Sequence, residues 1–252
     1  MKSQSFPVNR SGNDIGNFSP YSATWSVELE HPLTRFLRIR SNYLQSNTNG
    51  SVILNPGTVQ GQSALILGGG GRSRYRQFEV TSRFTWREQQ EFLVSYVHSW
   101  SMGDINDFNH YLGNFPFPLV RPDYFTHTPG DTPDRFLSWG VVNLPLKLII
   151  APKVEIRTGF PYAFLNEEQD YVGIPNSNRT RFPTFFSLDV RLTREFVIFF
   201  KPKYHVRCSI RGINMTNHFN PLGVHANTAD PQFGVFFGYV RRYYAVDLDV
   251  IH

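Results

Sequence analysis

The residues best suited to chemistry fall in short polar clusters. Asp104, Asn106 and Asp107 stand almost side by side in "GDINDF" and offer the oxygen ligands that calcium takes. No glycine followed by a bidentate glutamate completes a calcium loop behind them, so a hydrated turn is the expectation. Glu167, Glu168 and Asp170 form a second acidic group, able to meet a cationic or metal-bearing ligand but expected to be a solvated loop. The eight histidines never fall at metal spacing with a carboxylate on a common strand face. His218 and Asn220 lie in "TNHFNP", where a loop hydrogen bond suits the imidazole better than a metal. "GGGGRS" (68–73) lacks the Gly-Lys-Ser/Thr that cradles phosphate and reads as a flexible loop. There is no Gly-x-Ser-x-Gly elbow, and Cys208 is the only cysteine, which removes any intrachain disulfide or cysteine-based zinc site. The expectation is no catalytic residue, no metal and no cofactor.

The elements that carry these clusters are strands. Phe186, Leu188, Val190 and Leu192 alternate with Ser187, Asp189, Arg191 and Thr193, and successive side chains of a strand point to opposite faces. The same alternation recurs at Trp25–Glu30, Leu37–Tyr43, Phe78–Trp86, Phe92–Tyr96, Leu137–Val141, Lys153–Arg157, Val206–Arg211 and Tyr244–Val250. That makes about nine segments, many near the 9–11 residues a tilted strand needs to cross a bilayer. No run of apolar residues is long enough for a transmembrane helix. Apolar residues make up 40% of the chain and lean on aromatics, charged residues only 18%, and mean hydropathy is −0.32. The shortage of charge argues against disorder and mildly against a well-solvated surface. The net charge of +5 is spread along the strands, so no nucleic-acid partner is expected.

The connections discriminate more than the strands. Short links at 31–34, 87–90, 144–147 and around 201–203 alternate with long ones at roughly 46–74, 101–134, 161–182 and 217–235. Antiparallel neighbours joined this way put the short turns at one rim and the long loops at the other, the pattern of outer-membrane barrels. Asp189, Arg191, Arg207 and Arg211 are then expected to face a wet lumen. Asp104, Asn106, Asp107, Glu167, Glu168, Asp170, His218 and Asn220 are the candidates for a ligand mouth. Ser51–Leu54 and Ala64–Leu67 could be strand extensions. An odd strand number cannot close an antiparallel barrel of the bacterial kind, so either a further strand escapes this count or the chain is a piece of a larger barrel, and the absence of a signal peptide favours the piece.

Two stretches resemble a known family. "NRTRFPTFFSLDVRLTREF" (178–196) and "GINMTNHFNPLGVHANTADPQFGVFFG" (212–238) are similar to the C-terminal barrel end of TonB-dependent outer-membrane receptors, in the group with an N-terminal carboxypeptidase-regulatory-like domain. "GDINDFNHYLGNFPFPLVRP", "DRFLSWG" and "GFPYAFLNEEQDYVG" resemble it too, and Asn-x-Thr-Asn-His-Phe-Asn-Pro (214–221) is the most specific part. The resemblance implies a barrel of about 22 strands in a Gram-negative outer membrane, with a plug and the TonB system as partners in the full-length relative and a small-molecule or oligomeric nutrient as cargo. Residues 1–20 are expected to be an irregular N-terminal segment and 21–252 a partial barrel. The start shows no apolar h-region after Lys2, which predicts a fragment without plug or signal peptide. The competing expectation is a soluble β-sandwich that binds a ligand such as carbohydrate; a membrane hydrolase is the outsider.

Overall fold

A computed structural model describes residues 8–10, 19–87, 90–105, 121–175, 180–197 and 205–251. Fifteen strands follow in chain order: β1 (Val8–Arg10), β2 (Tyr21–Pro32), β3 (Leu37–Val59), β4 (Gln62–Arg87), β5 (Gln90–Asp104), β6 (Phe125–His127), β7 (Asp134–Leu144), β8 (Leu148–Arg157), β9 (Phe164–Leu165), β10 (Tyr171–Gly173), β11 (Phe185–Val197), β12 (His205–Ile213), β13 (Pro221–Val224), β14 (Phe236–Tyr239) and β15 (Tyr243–Ile251). Nine of them form one continuous antiparallel path, β15-β12-β11-β8-β7-β5-β4-β3-β2, and its two end strands do not meet. Val8–Arg10 joins it in parallel beside Leu65–Leu67, and β6 extends β5. The remaining strands make two hairpins, β9 with β10 and β13 with β14. Among the described residues no second sheet packs face to face on the first, as a sandwich would require. None of the described helices is long and apolar enough to cross a membrane.

Burial in this sheet runs opposite to that of a soluble domain. Among the described residues the only buried large apolar side chains are Leu54 and Ile105. Ser187, Thr193 and Ser209 are buried instead, while Leu248 and Val250 are each 70% exposed. The parity of the strands sorts them. Phe186, Leu188, Val190 and Leu192 stand opposite Ile156, Val154, Pro152 and Ile150 of β8, making one continuous apolar face. Ser187, Asp189, Arg191 and Thr193 project from the other side. A sheet whose apolar face meets no protein needs a hydrocarbon solvent, because exposing that area to water would forfeit about 25 cal/mol per Å². On the same apolar face, Trp25 lies level with Trp100 through the register Trp25↔Gln45↔Arg76↔Trp100, and Tyr43 packs on Trp25 at 5.2 Å. Such aromatic rows mark the boundary between lipid and water.

One run breaks the parity expectation. Leu137, Trp139 and Val141 read as an apolar face, yet they share the polar side with Arg135: Leu137 stands opposite Ser95 and Glu155, and Trp139 opposite Lys153. Phe136 and Val142 take the apolar face, so this strand is apolar on both sides and its alternation is ambiguous.

The largest correction concerns residues 46–74. The long link expected there is two strands: β3 and β4 run 23 and 26 residues and are joined by the turn Gln60-Gly61, both in the left-handed region. At about 3.4 Å per residue each extends well beyond a hydrocarbon core of about 30 Å. Ser51–Leu54 and Ala64–Leu67 are indeed extensions. The Gly68–Gly71 run is strand rather than flexible loop; register shifts oppose it around Ser51, and a Cβ on Gly71 would come 2.5 Å from the Ser51 carbonyl oxygen. The bulges twist the paired ribbon as it leaves the sheet.

The rims otherwise sort as the connections predict. Turns at 33–36 and 145–147 lie at one end, the latter with Leu146 and Lys147 both at positive φ. The hairpin tip and the segments after β5, β8 and β12 lie at the other.

Candidate functional site

The polar face is built as a row of complementary charges on neighbouring strands. Arg38 meets Glu30 at 2.8 Å, and Arg40 lies between Glu79 at 3.3 Å and Glu28 at 3.8 Å. Arg135 meets Glu155 at 3.1 Å, and Arg207 meets Glu195 at 2.6 Å. Arg191 and Arg211 stand directly opposite each other, an unfavourable pairing that Asp247 offsets at 3.9 and 2.9 Å. Arg191 also donates to the hydroxyl of Ser209, which bonds Thr193 in turn. These ion pairs are half-exposed, so each contributes at most about 1 kcal/mol. Their collective effect is a hydrated wall without a dominant sign of charge.

The run "TNHFNP" ties the top of this wall. Beyond Val190↔Gly212 the ladder between β11 and β12 ends, and side chains take over. Asn220 accepts from the Phe186 amide at 3.0 Å and donates to the Phe186 carbonyl at 2.8 Å, acting as a strand neighbour. The Met215 amide continues the substitution by donating to Leu188. Asn214, in the left-handed region, donates to the carbonyls of His218 and Val240 and accepts from the His218 amide. Its own amide donates to Asp189, which also accepts from Ser187. His218 Nδ1 lies 3.1 Å from Asn220 Oδ1. His218 and Asn220 therefore have a holding role in the fold, and Asp189 serves the loop as well as the wall.

Above the wall the long connections fold onto one another. Asp131 is fully buried and pairs with Arg181, which is 5% exposed. Arg181 also donates to the carbonyls of Asp131 and Gly159, while Asp131 accepts from the Ser101 amide and contacts His127 Nδ1 at 3.0 Å. Gly159 is obligatory there, because any Cβ would run into the Phe182 carbonyl. Thr126 donates to the Pro175 carbonyl at 3.0 Å, and Arg121 donates to Gln169 and stacks on Tyr171. Tyr162 sits among Phe164, Phe182 and Phe236 with centroids 5.5 to 6.0 Å away, and burial raises its hydroxyl pKa. Leu165 bridges to Asn227, joining the second connection to the third. In that third connection, the Gln232 amide and then His225 hold the Asp230 carboxyl below its usual range.

Between wall and roof lies a cavity of about 370 Å³. Lys153 and Asp189 lie on its polar side, and Phe160, Phe182, Leu222 and Val240 supply apolar walls. Arg157 is sandwiched between the rings of Phe160 and Phe185 at 4.2 and 4.4 Å. The other residues singled out in the sequence lie apart. Asp104 ends β5 and accepts from the Arg72 amide at 2.6 Å. Asn106 and Asp107 lie outside the described residues. Glu167, Glu168 and Asp170 are exposed at the turn between β9 and β10. Asp189, Arg191, Arg207 and Arg211 all project from the polar face. Among the described residues no cluster of three or more histidine, cysteine or acidic side chains could hold a metal. Of the residues around the cavity, sequence reasoning singled out Asp189 and Asn220; it missed Asp131, Arg181 and the apolar cavity walls, because nothing in the two loops marks these charged residues out from their neighbours Asp123, Asp134 and Arg179.

No protein-family model matches the chain, and no curated protein matches its sequence. Solved structures do. The chain is similar to the outer membrane transporter YddB from Escherichia coli, with TM-score 0.58 and 12% identity over 98% of this chain and 34% of that one. It is also similar to the FrpB iron transporter from Neisseria meningitidis (F3-3 variant), with TM-score 0.52 and 13% identity over 93% of this chain and 31% of that one. The fold is that of an outer-membrane transporter barrel. The chain spans about a third of the length of the transporters it matches. In a transporter barrel the apolar face of Phe186, Leu188, Val190 and Leu192 meets lipid, the charged row lines the lumen, and the folded connections stand on the outer rim.

Proposed function

We propose that the chain is barrel wall and outer-rim loops of a TonB-dependent receptor that takes up a nutrient across the outer membrane, without catalysis of its own. The observation that carries this reading is the inverted burial: Ser187, Thr193 and Ser209 are enclosed while Leu192, Ile210, Leu248 and Val250 stand open in one sheet whose end strands do not meet. The likeness to two transporters supports it, and the soluble sandwich gains nothing from either observation. The plug, the TonB system and the cargo belong to the whole receptor. The lumen-facing Asp189, Arg191, Arg207 and Arg211 keep the wall hydrated. The mouth consists of the folded connections, with Asp104, Glu167, Glu168 and Asp170 on their outer parts and the cavity beneath.

Partitioning tests the reading. The chain is exported with an added signal peptide and the cells are fractionated. Recovery in the outer-membrane fraction, with gel migration that changes on heating, is the expected result. A monodisperse, β-rich protein in the soluble periplasm contradicts it.

A further inference from the structure

The outward face of the sheet carries one row of charge that the chain itself does not neutralise. Arg72, Arg74 and Arg76 occupy alternate positions of β4 and are exposed, while Ser73, Tyr75 and Gln77 between them are half-buried on the luminal side. Register fixes their level. Arg76 stands between Gln45 and Trp100 in the aromatic row at the boundary of the lipid, and Arg74 and Arg72 follow towards the outer rim, opposite Asn47 and Asn49. The stretch of β4 below them, 77–87, has about the 9–11 residues that a tilted strand needs to cross a bilayer. The three guanidiniums therefore stand at headgroup height, on the side that faces away from the lumen and from any cargo.

The luminal face shows what is missing here. There Arg38, Arg135, Arg207 and Arg211 each meet a carboxylate on an adjoining strand. Among the described residues Arg74 and Arg76 form no ion pair, and their cross-strand neighbours Gln45, Asn47, Trp100 and Met102 are not acidic. Two acids lie near the row. Asp104 accepts from the Arg72 amide at 2.6 Å, and Asp134 is held by Tyr96 and His98 at 2.7 and 2.8 Å. Same-face neighbours along a strand are about 7 Å apart, so the row repels itself until an anion from outside the chain balances it. Phe125 keeps the row in place, with its ring 4.5 Å from the Arg72 guanidinium and 5.8 Å from that of Arg74. Together with Trp100 and Met102 it lines a groove of about 390 Å³ beside Arg74 and Arg76.

Resting on the barrel reading, we infer that Arg72, Arg74 and Arg76 form a binding site for the phosphate groups of an outer-leaflet lipid, whose acyl chains lie along Phe78 and the apolar face beneath. A guanidinium presents paired N–H donors that match two oxygens of one phosphate, and a row of three serves a headgroup with more than one phosphate. Trp100 and Phe125 beside the cations suit an amphipathic ligand, charged at the boundary and apolar below it, which a free anion is not.

The test uses the full chain in nonionic detergent, with native mass spectrometry counting bound lipid. Bisphosphorylated lipid A is the probe; the same lipid with its phosphates removed, and inorganic phosphate, are the comparisons. The phosphorylated lipid binds on the order of tenfold more tightly than the dephosphorylated one, and millimolar inorganic phosphate does not displace it. Arg74→Gln combined with Arg76→Gln lowers its affinity on the order of tenfold. Arg38→Gln combined with Arg207→Gln removes the same charge from the luminal face and leaves the affinity unchanged. Equal affinity for the two lipids overturns the inference, and so does an equal loss in the two variants. Displacement by inorganic phosphate assigns the row to a free anion, and a lipid-free dimer assigns it to a second copy; either result overturns the lipid site. A chain that is folded and monodisperse in buffer without detergent overturns the barrel reading itself.

Discussion

The strand wall and the roof of folded connections follow opposite burial rules within one chain. In the wall, Ser209 is fully buried while Val246, Leu248 and Val250 are open. In the roof, Tyr162, Phe164, Phe182 and Phe236 pack ring against ring, as in any protein core in water. The difference follows from the solvent each part meets. Lipid requires only that backbone groups be paired and the outer surface be apolar, so side-chain packing is left to the lumen. Water gives the roof its drive to bury aromatic area. The roof holds its shape by buried polar contacts and ring packing, the wall by its ladders.

Breaking the roof at its buried pair has the largest expected effect. Asp131→Ala leaves Arg181 charged, enclosed and uncompensated, a loss of about 3–5 kcal/mol. Amide exchange or limited proteolysis should show segments 121–133 and 158–175 opening while β11 and β12 stay protected. If both regions open together, wall and roof are one cooperative unit and the contrast between them fails. The wall is broken from its other face. Val190→Arg puts a cation against lipid and should cost about 2–4 kcal/mol near the bilayer midplane. Arg207→Gln on the luminal side should cost no more than about 1 kcal/mol. Denaturant titration of the chain in lipid vesicles compares the two, and equal losses would contradict the assignment of faces.

The junction between the regions comes next. Asn220→Ala leaves the Phe186 amide and carbonyl without their side-chain partner, at about 1–3 kcal/mol. Exchange at Phe186 and Leu188 should rise before that at Val190, where the ladder to β12 begins. The smallest effect is electrostatic. The folded state depresses the Asp230 pKa, so the contribution of its contacts is complete above the ordinary carboxylate range and is lost as pH falls through the depressed value. Proteolytic opening of 225–235 should therefore appear only under acid conditions, and Asp230→Asn should abolish that pH dependence.

Much of the wall was legible in the sequence, because period-two alternation in stretches such as Phe186–Thr193 states both faces at once. The reading failed where that signal was blurred. Leu137, Trp139 and Val141 lie in a strand apolar on both sides, so parity alone could not say which face was luminal. Residues 46–74 read as a loop through their glycines and asparagines, yet pairing between two long strands overrides local propensity. The roof was the least legible, since its contacts join residues far apart in the chain: Asp131 to Arg181, Thr126 to Pro175, Leu165 to Asn227. "TNHFNP" stood out as a motif, but only the geometry shows that Asn220 replaces a strand neighbour.

The central claim is that one face of this sheet meets lipid and the other a wet lumen, and two native tryptophans report on it. Trp25 projects from the apolar face and Trp139 from the polar face. With Trp86 and Trp100 changed to phenylalanine and one of the two remaining tryptophans kept at a time, the chain is reconstituted in vesicles whose acyl chains are brominated near the headgroups. The account predicts that the bromines quench Trp25 strongly and leave Trp139 bright, while aqueous iodide does the reverse. Equal quenching of both by either agent, or quenching of Trp139 alone by the bromines, would contradict it.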